Sequence, residues 1–148
     1  MDEGPRFFTV EEANALVSTL EIEFGRVARI RAELVPLVES LGGADVAAAI
    51  LGEQEAAAPP GREEDARRLV ALAGEITETV ERVNGLGCLV KDLEAGLVDF
   101  YALDEGEPVF LCWQFGEPGV THWHGMDEGF AGRKPIEGVT VKPPSMPN

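Results

Sequence analysis

Gly96-Leu97-Val98-Asp99-Phe100-Tyr101-Ala102-Leu103-Asp104-Glu105-Gly106-Glu107-Pro108-Val109-Phe110-Leu111-Cys112-Trp113-Gln114-Phe115 is the stretch whose reading decides the fold. Residues 97–103 and 109–115 are short runs rich in aromatic and branched side chains, separated by an acidic, glycine-containing turn. That pattern reads as two strands and a tight hairpin. Centring the turn on Glu105-Gly106 sets Phe100 opposite Leu111, Val98 opposite Trp113 and Asp99 opposite Cys112. A third run, residues 120–124, follows the Pro-Gly turn of Gly116-Glu117-Pro118-Gly119. The simplest product is a three-stranded antiparallel meander.

Working outward, the alternation of side chains assigns faces. The second turn can centre on Glu117-Pro118 or on Pro118-Gly119, and both choices give the same faces. Val98, Phe100, Ala102, Val109, Leu111, Trp113, Phe115, Val120, His122 and His124 then share one face, which is the more apolar. Asp99, Tyr101, Cys112, Gln114, Thr121 and Trp123 share the other. The apolar face is expected to pack on helices, with both histidines beneath them and Trp123 free to stack on a ligand or partner.

The helices lie upstream. Thr9-Val10-Glu11-Glu12 has the form of a capping box. Behind it, Ala13, Leu16, Val17, Leu20, Phe24, Val27, Ile30, Leu34, Val38 and Leu41 recur at three- and four-residue steps, predicting a helix over 10–41. Pro36 should kink it and Gly42-Gly43 should end it. A short helix over 44–51 leads to a flexible connector near 52–61. Ala66, Leu69, Val70, Ala73, Ile76, Val80 and Val83 mark a second long helix. Gly85 and Gly87 either break it or allow close packing; the second is favoured, so it is expected to run over 63–95 with Gly96 as the stop. Two amphipathic helices joined by a loop lie antiparallel. The expected class is therefore α+β, a helical hairpin packed on the small meander. A single domain over 1–148 fits the length, mostly helical over 9–95, with meander and closing loop over 97–136 and a mobile tail over 137–148.

Composition narrows the function. Twelve Lys and Arg against 27 Asp and Glu give a net charge of −15. Such a surface repels phosphate backbones and anionic lipids, so neither nucleic-acid nor membrane binding is expected. Met1-Asp2-Glu3 opens no basic and apolar leader, and Cys88 and Cys112 have no paired-motif spacing. A cytoplasmic location follows as an expectation. The two edges of a meander and the flank of a two-helix layer leave surface to cover, which suggests a homodimer.

The candidate site lies after residue 90. His122 and His124 in a His-x-His pair put two imidazoles on one side of a strand, where they either hold a divalent metal or stand as polar rim residues hydrogen-bonded to carboxylates of this acidic chain. A carboxylate such as Asp127 or Glu128 would have to complete the metal site. Cys112, assigned to the opposite face, reads as an inert thiol, and Cys88 reads as core. Gly129-Phe130-Ala131-Gly132-Arg133-Lys134-Pro135-Ile136 is the basic patch of the acidic second half. Arg133 there either binds an anion or pairs with Asp99 or Glu117 to pin the loop. A pocket joining both histidines, Arg133 and one of Asp92, Asp99 or Glu117 is expected.

Gly87, Lys91-Asp92, Gly96-Leu97-Val98-Asp99-Phe100, Leu111-Cys112-Trp113, Gly116-Glu117, Trp123-His124 and the 129–136 string together resemble an uncharacterised bacterial family, domain of unknown function 2203. The resemblance runs from the Phe8-Thr9 helix cap to Ile136 and implies a small bacterial protein without assigning an activity. The string contains Lys91 and Asp92, which join Arg133, Asp99, Glu117 and Trp123 in the candidate ligand-binding set. The family pattern carries Pro after Val-Asp-Phe and Glu after Trp-His; here Tyr101 and Gly125 stand in those places. The functional expectation is a small binding or interaction protein, with a metal-dependent enzyme, such as a hydrolase, as the alternative.

Overall fold

The computed structural model describes residues 6–53, 57–136 and 141–142. Its helices are α1 (Val10–Ala15), α2 (Val17–Leu41), α3 (Ala44–Glu53) and α4 (Glu63–Gly85). Its strands are β1 (Leu89–Asp92), β2 (Leu97–Asp104), β3 (Glu107–Gln114), β4 (His122–Gly125), β5 (Lys134–Pro135) and β6 (Val141–Lys142). The class is α+β, with an antiparallel sheet. The Thr9 hydroxyl accepts from the Glu12 N–H, and the Glu12 carboxylate accepts from the Thr9 N–H. The capping box thus satisfies two helix-end donors reciprocally. Leu16 then interrupts the first helical run, so the predicted single helix is α1 followed by α2, with Pro36 inside α2.

The chain groups into two compact units whose boundaries fall within α2 and α4. One is Gly25–Glu81. Its core holds Leu41, Ala47, Ile50, Ala66 and Leu69, and Arg68 makes a two-pronged ion pair with Glu33. Arg62 donates to the Ser40 carbonyl. Partner numbers rise along α4 as they fall along α2, so the two helices run antiparallel. The other unit takes the described residues up to Phe24 and from Arg82 onward. Phe8, Leu20, Phe24, Val83, Phe100, Leu111 and Trp113 are central to its core.

The predicted three-stranded meander is the centre of a six-stranded sheet, ordered β1-β2-β3-β4-β5, with β6 also pairing with β2. The hairpin register is as expected, with Asp99 opposite Cys112 and Phe100 opposite Leu111. Glu105 (φ 53°) and Gly106 (φ 85°) form the turn in the left-handed region that a tight hairpin requires. The outer edge of β2 is occupied by β1, by the Phe8 N–H donating to the Tyr101 carbonyl, and by β6. The meander's own edges are thus paired from within the chain, and β1 and β5 become the outer strands of the sheet. Of the expected mobile tail, residues 141–142 form β6; residues 137–140 and 143–148 lie outside the described residues, as do 54–56 of the expected connector.

Two expectations are corrected. The second helix does not reach residue 95, because α4 ends at Gly85 and residues 89–92 form β1. Gly87 adopts φ 102°, and a Cβ there would sit 2.9 Å from Arg6 Cδ. The glycine turns the chain out of the helix and under Phe8 rather than allowing the helix to continue. The face assignment of β4 is also reversed. Its pairs are Cys112 with His122, Leu111 with Trp123 and Phe110 with His124. Midway between Cys112 and His122 lies Glu117, a residue rather than a peptide bond, so the register is offset by one residue from the Glu117-Pro118 turn and by three from the Pro118-Gly119 turn. A one-residue slip exchanges faces. His122 and His124 therefore lie on the Asp99–Cys112 face, and Trp123 packs towards the core.

Candidate functional site

The site is built on neighbouring strands of the second unit. Asp99 on β2 sits opposite Cys112 on β3, and His124 on β4 sits diagonally across, opposite Phe110. A carboxylate oxygen of Asp99, the Cys112 sulfur and a ring nitrogen of His124 all lie within 4.8 Å of one another. His124 Nε2 is 3.0 Å from Asp99 Oδ2, and those side chains retain only 4% and 5% of their exposure. His124 Nδ1 lies 2.9 Å from the Gly125 carbonyl. A carbonyl only accepts, so Nδ1 carries a hydrogen. The Nε2–Oδ2 contact then requires one further proton, on either the ring or the carboxyl group. In both arrangements the Asp99–His124 pair is formally neutral, which is how two ionisable groups can share a sealed environment.

Cys112 lies beside that pair. Burial pushes its thiol up to about 12, the Asp99 charge adds to the rise, and Arg133 opposes it. Such a thiol is protonated at neutral pH, so Cys112 is no nucleophile as it stands. The arrangement is not a catalytic relay either. In a relay the imidazole bonds the nucleophile with one nitrogen and the carboxylate with the other. Here Nδ1 is committed to the Gly125 carbonyl and Nε2 to Asp99, so neither nitrogen is left to bond Cys112.

A cavity of about 140 Å³ opens over the cluster, lined by Lys91, Leu97, Asp99, Phe110, Cys112, His124, Met126, Glu128, Gly129 and Phe130. Its roof is the segment after β4. Glu128 Oε1 accepts from the Gly125 N–H and from Lys134 Nζ, both at 2.8 Å, and the Lys134 hydrogen bond followed by the Gly125 one holds the carboxyl below its ordinary range. Phe130 begins a 3-10 turn, Phe130–Gly132, and its ring lies under the Arg133 guanidinium, 4.6 Å from the centroid.

Of the residues expected to converge, Asp99 and His124 line this cavity, together with the candidate ligand-binding residue Lys91. Arg133 does not. It donates to Glu117 Oε1 at 3.0 Å and to the Cys112 carbonyl at 3.5 Å, tying the roof segment to the turn after β3. Burial pushes the Glu117 carboxyl up, but the Arg133 hydrogen bond and the Gln114 N–H outweigh it, and the net shift is downward. Asp92 accepts from the Ala95 N–H and caps the turn between β1 and β2. Trp123 lies on the opposite face, with Lys134 Nζ 4.8 Å from its ring centre. His122 bonds Thr121 Oγ1 through Nδ1 and lines a separate depression with Val120 and Pro135. Among the described residues, the metal-competent cluster includes His124 but not His122, and the third donor is a thiol rather than Asp127 or Glu128. Cys112 is the member that sequence reasoning missed. The Asp99–Cys112 pairing was legible, and only the parity of the second turn hid the histidine beside it.

Fold and cluster together define an α+β protein with a carboxylate, a thiol and an imidazole gathered under a small cavity. The chain belongs to the uncharacterised conserved protein family DUF2203, whose model matches residues 6–136. No curated protein and no solved structure matches it. Among the described residues, no single helix is long and apolar enough to cross a membrane.

Proposed function

We propose that this protein binds one divalent transition-metal ion through Asp99, Cys112 and His124 and uses it to hold a small ligand in the adjoining cavity. The observation that carries the reading is the approach of three chemically different donors, all buried, to within 4.8 Å of one another. Tetrahedral zinc, with bonds of roughly 2.0–2.3 Å, sets its ligand atoms about 3.3–3.8 Å apart, within reach of small rotamer adjustments. The Nδ1–H to Gly125 carbonyl bond is the outer support that metal-bound imidazoles ordinarily have, and it turns Nε2 towards the ion. Charge also balances. A divalent ion replacing the proton of the Asp99–His124 pair and the proton of the Cys112 thiol leaves the buried site neutral.

The test is metal analysis of untagged protein, followed by cobalt titration of the full chain after chelation. One equivalent of metal is expected, with a sulfur-to-cobalt charge-transfer band that Cys112→Ser abolishes and His122→Ala leaves intact. Protein free of bound metal that also takes up no cobalt or zinc at micromolar concentration would overturn the reading. The side of the cluster open to the cavity favours a second reading, hydrolysis by a metal-activated water. Zinc-dependent turnover of an activated ester, lost in Cys112→Ser, would support it.

A further inference from the structure

We infer that the ligand held in this cavity is a small monoanion with an apolar substituent, of the short-chain carboxylate class, bound between the metal position and Lys91. The inference rests on the metal reading above and specifies what that site takes. It begins with charge. A divalent ion is cancelled by the Asp99 carboxylate and the Cys112 thiolate. Glu128, the other acid lining the cavity, is matched by Lys134 at 2.8 Å. Lys91 remains. Its ammonium lies 4.9 Å from the centre of the Phe110 ring, and the same ring meets the His124 ring at 47°, with centroids 5.3 Å apart. Among the described residues no carboxylate forms an ion pair with Lys91. In a chain with 27 acidic residues, an unmatched cation at the edge of a cavity is a selective feature. The cavity thus carries one uncompensated positive charge and suits one negative charge.

Size and lining give the rest. About 140 Å³ lies well below the roughly 300–1,000 Å³ of pockets that enclose drug-sized ligands, so the ligand has few heavy atoms. Leu97, Phe110, Met126 and Phe130 supply apolar wall. Met126 and Phe130 are both more than two-fifths exposed, leaving apolar surface that a short alkyl or aryl group would cover. A carboxylate oxygen displacing water from the metal, its partner oxygen facing Lys91 and its tail against these walls, uses every part of the lining.

The experiment uses the cobalt-loaded full chain, with acetate, propionate and butyrate as probes and methylammonium as the cationic control. The cobalt visible bands are expected to shift saturably with each carboxylate, with affinity rising roughly fourfold per added methylene. Methylammonium should leave them unchanged. Lys91→Gln should weaken carboxylate binding tenfold or more while cobalt affinity stays the same. Lys91 is exposed on a short outer strand, and an unchanged melting curve will establish that the variant folds. Cobalt bound with no response to carboxylates, or with an equal response in Lys91→Gln, overturns this inference and leaves the metal reading standing. Failure of cobalt to bind overturns both.

Discussion

His124 Nε2 stands 3.0 Å from Asp99 Oδ2 inside a nearly closed part of the sheet, so neither residue can be judged without the other. Removing one partner of a buried pair strands the other without its hydrogen bond. His124→Leu is expected to lower stability by about 3–5 kcal/mol. Replacing both together, with Asp99→Leu and His124→Leu, removes the polar demand and should cost much less than the two single changes added. Chemical denaturation of the four members of this double-mutant cycle checks it. Additive losses would mean that the pair is not coupled in solution.

Arg133 is expected to act as a strut. With its side chain 12% exposed and bonded to Glu117, Arg133→Ala should lower stability by about 1–3 kcal/mol, read from urea unfolding. Cobalt affinity should fall only modestly, since Arg133 reaches the Cys112 carbonyl and not its sulfur. A variant with unchanged stability and abolished ligand binding would make Arg133 a ligand contact instead.

Glu117 gives the pH dependence its sign. Its folded carboxyl titrates below the ordinary value of 4.5, because the bonds from Arg133 and the Gln114 N–H outweigh the opposing effect of burial. The folded state therefore binds that proton less readily than the unfolded chain. The stabilisation is complete above the ordinary carboxyl range and is lost as pH falls through the depressed folded value. The stability advantage over Glu117→Gln should be flat from pH 6 to 8 and shrink below about 4.5. Thermal melts of both proteins across that range test it.

Both thiols should resist alkylation in the folded, metal-free chain. Burial lifts Cys88 to about 11 and Cys112 to about 12. At pH 8 the thiolate is then roughly one part in a thousand and one in ten thousand. Mass spectrometry after iodoacetamide treatment should show little modification until denaturant is added. Fast labelling of Cys112 alone would indicate an open, ionised thiol.

What could be read in advance divides along physical lines. Helix caps, the hairpin at Glu105-Gly106 and the pairing of Asp99 with Cys112 are set by local chemistry and alternate-face counting, and they were legible. The strand after Gly87 was not, because Cys88-Leu89-Val90 is too short and too uniformly apolar to show a period. The outer strands β5 and β6 are two-residue pairings that depend on long-range closure. The site was half legible: Asp99 and His124 were singled out, and Lys91 entered through the family resemblance. Their meeting with Cys112 depends on one count in the turn after β3, which side-chain propensities do not determine.

The register centred on Glu117 makes the segment between β3 and β4 behave as a parity switch. Its geometry is held by Glu117 itself, which accepts from Gln114 N–H and, through its carbonyl, from the Trp113 indole, and by Asn14, which accepts from the Val120 N–H. Substitutions elsewhere in that segment change its chemistry but leave the count alone. A slip of one residue in the pairing of β3 with β4 would send Trp123 towards the cavity and His124 into the apolar core, whatever residues filled the segment. A slip of two would restore the faces. The contacts that pin this segment therefore decide which of the two rings meets Asp99.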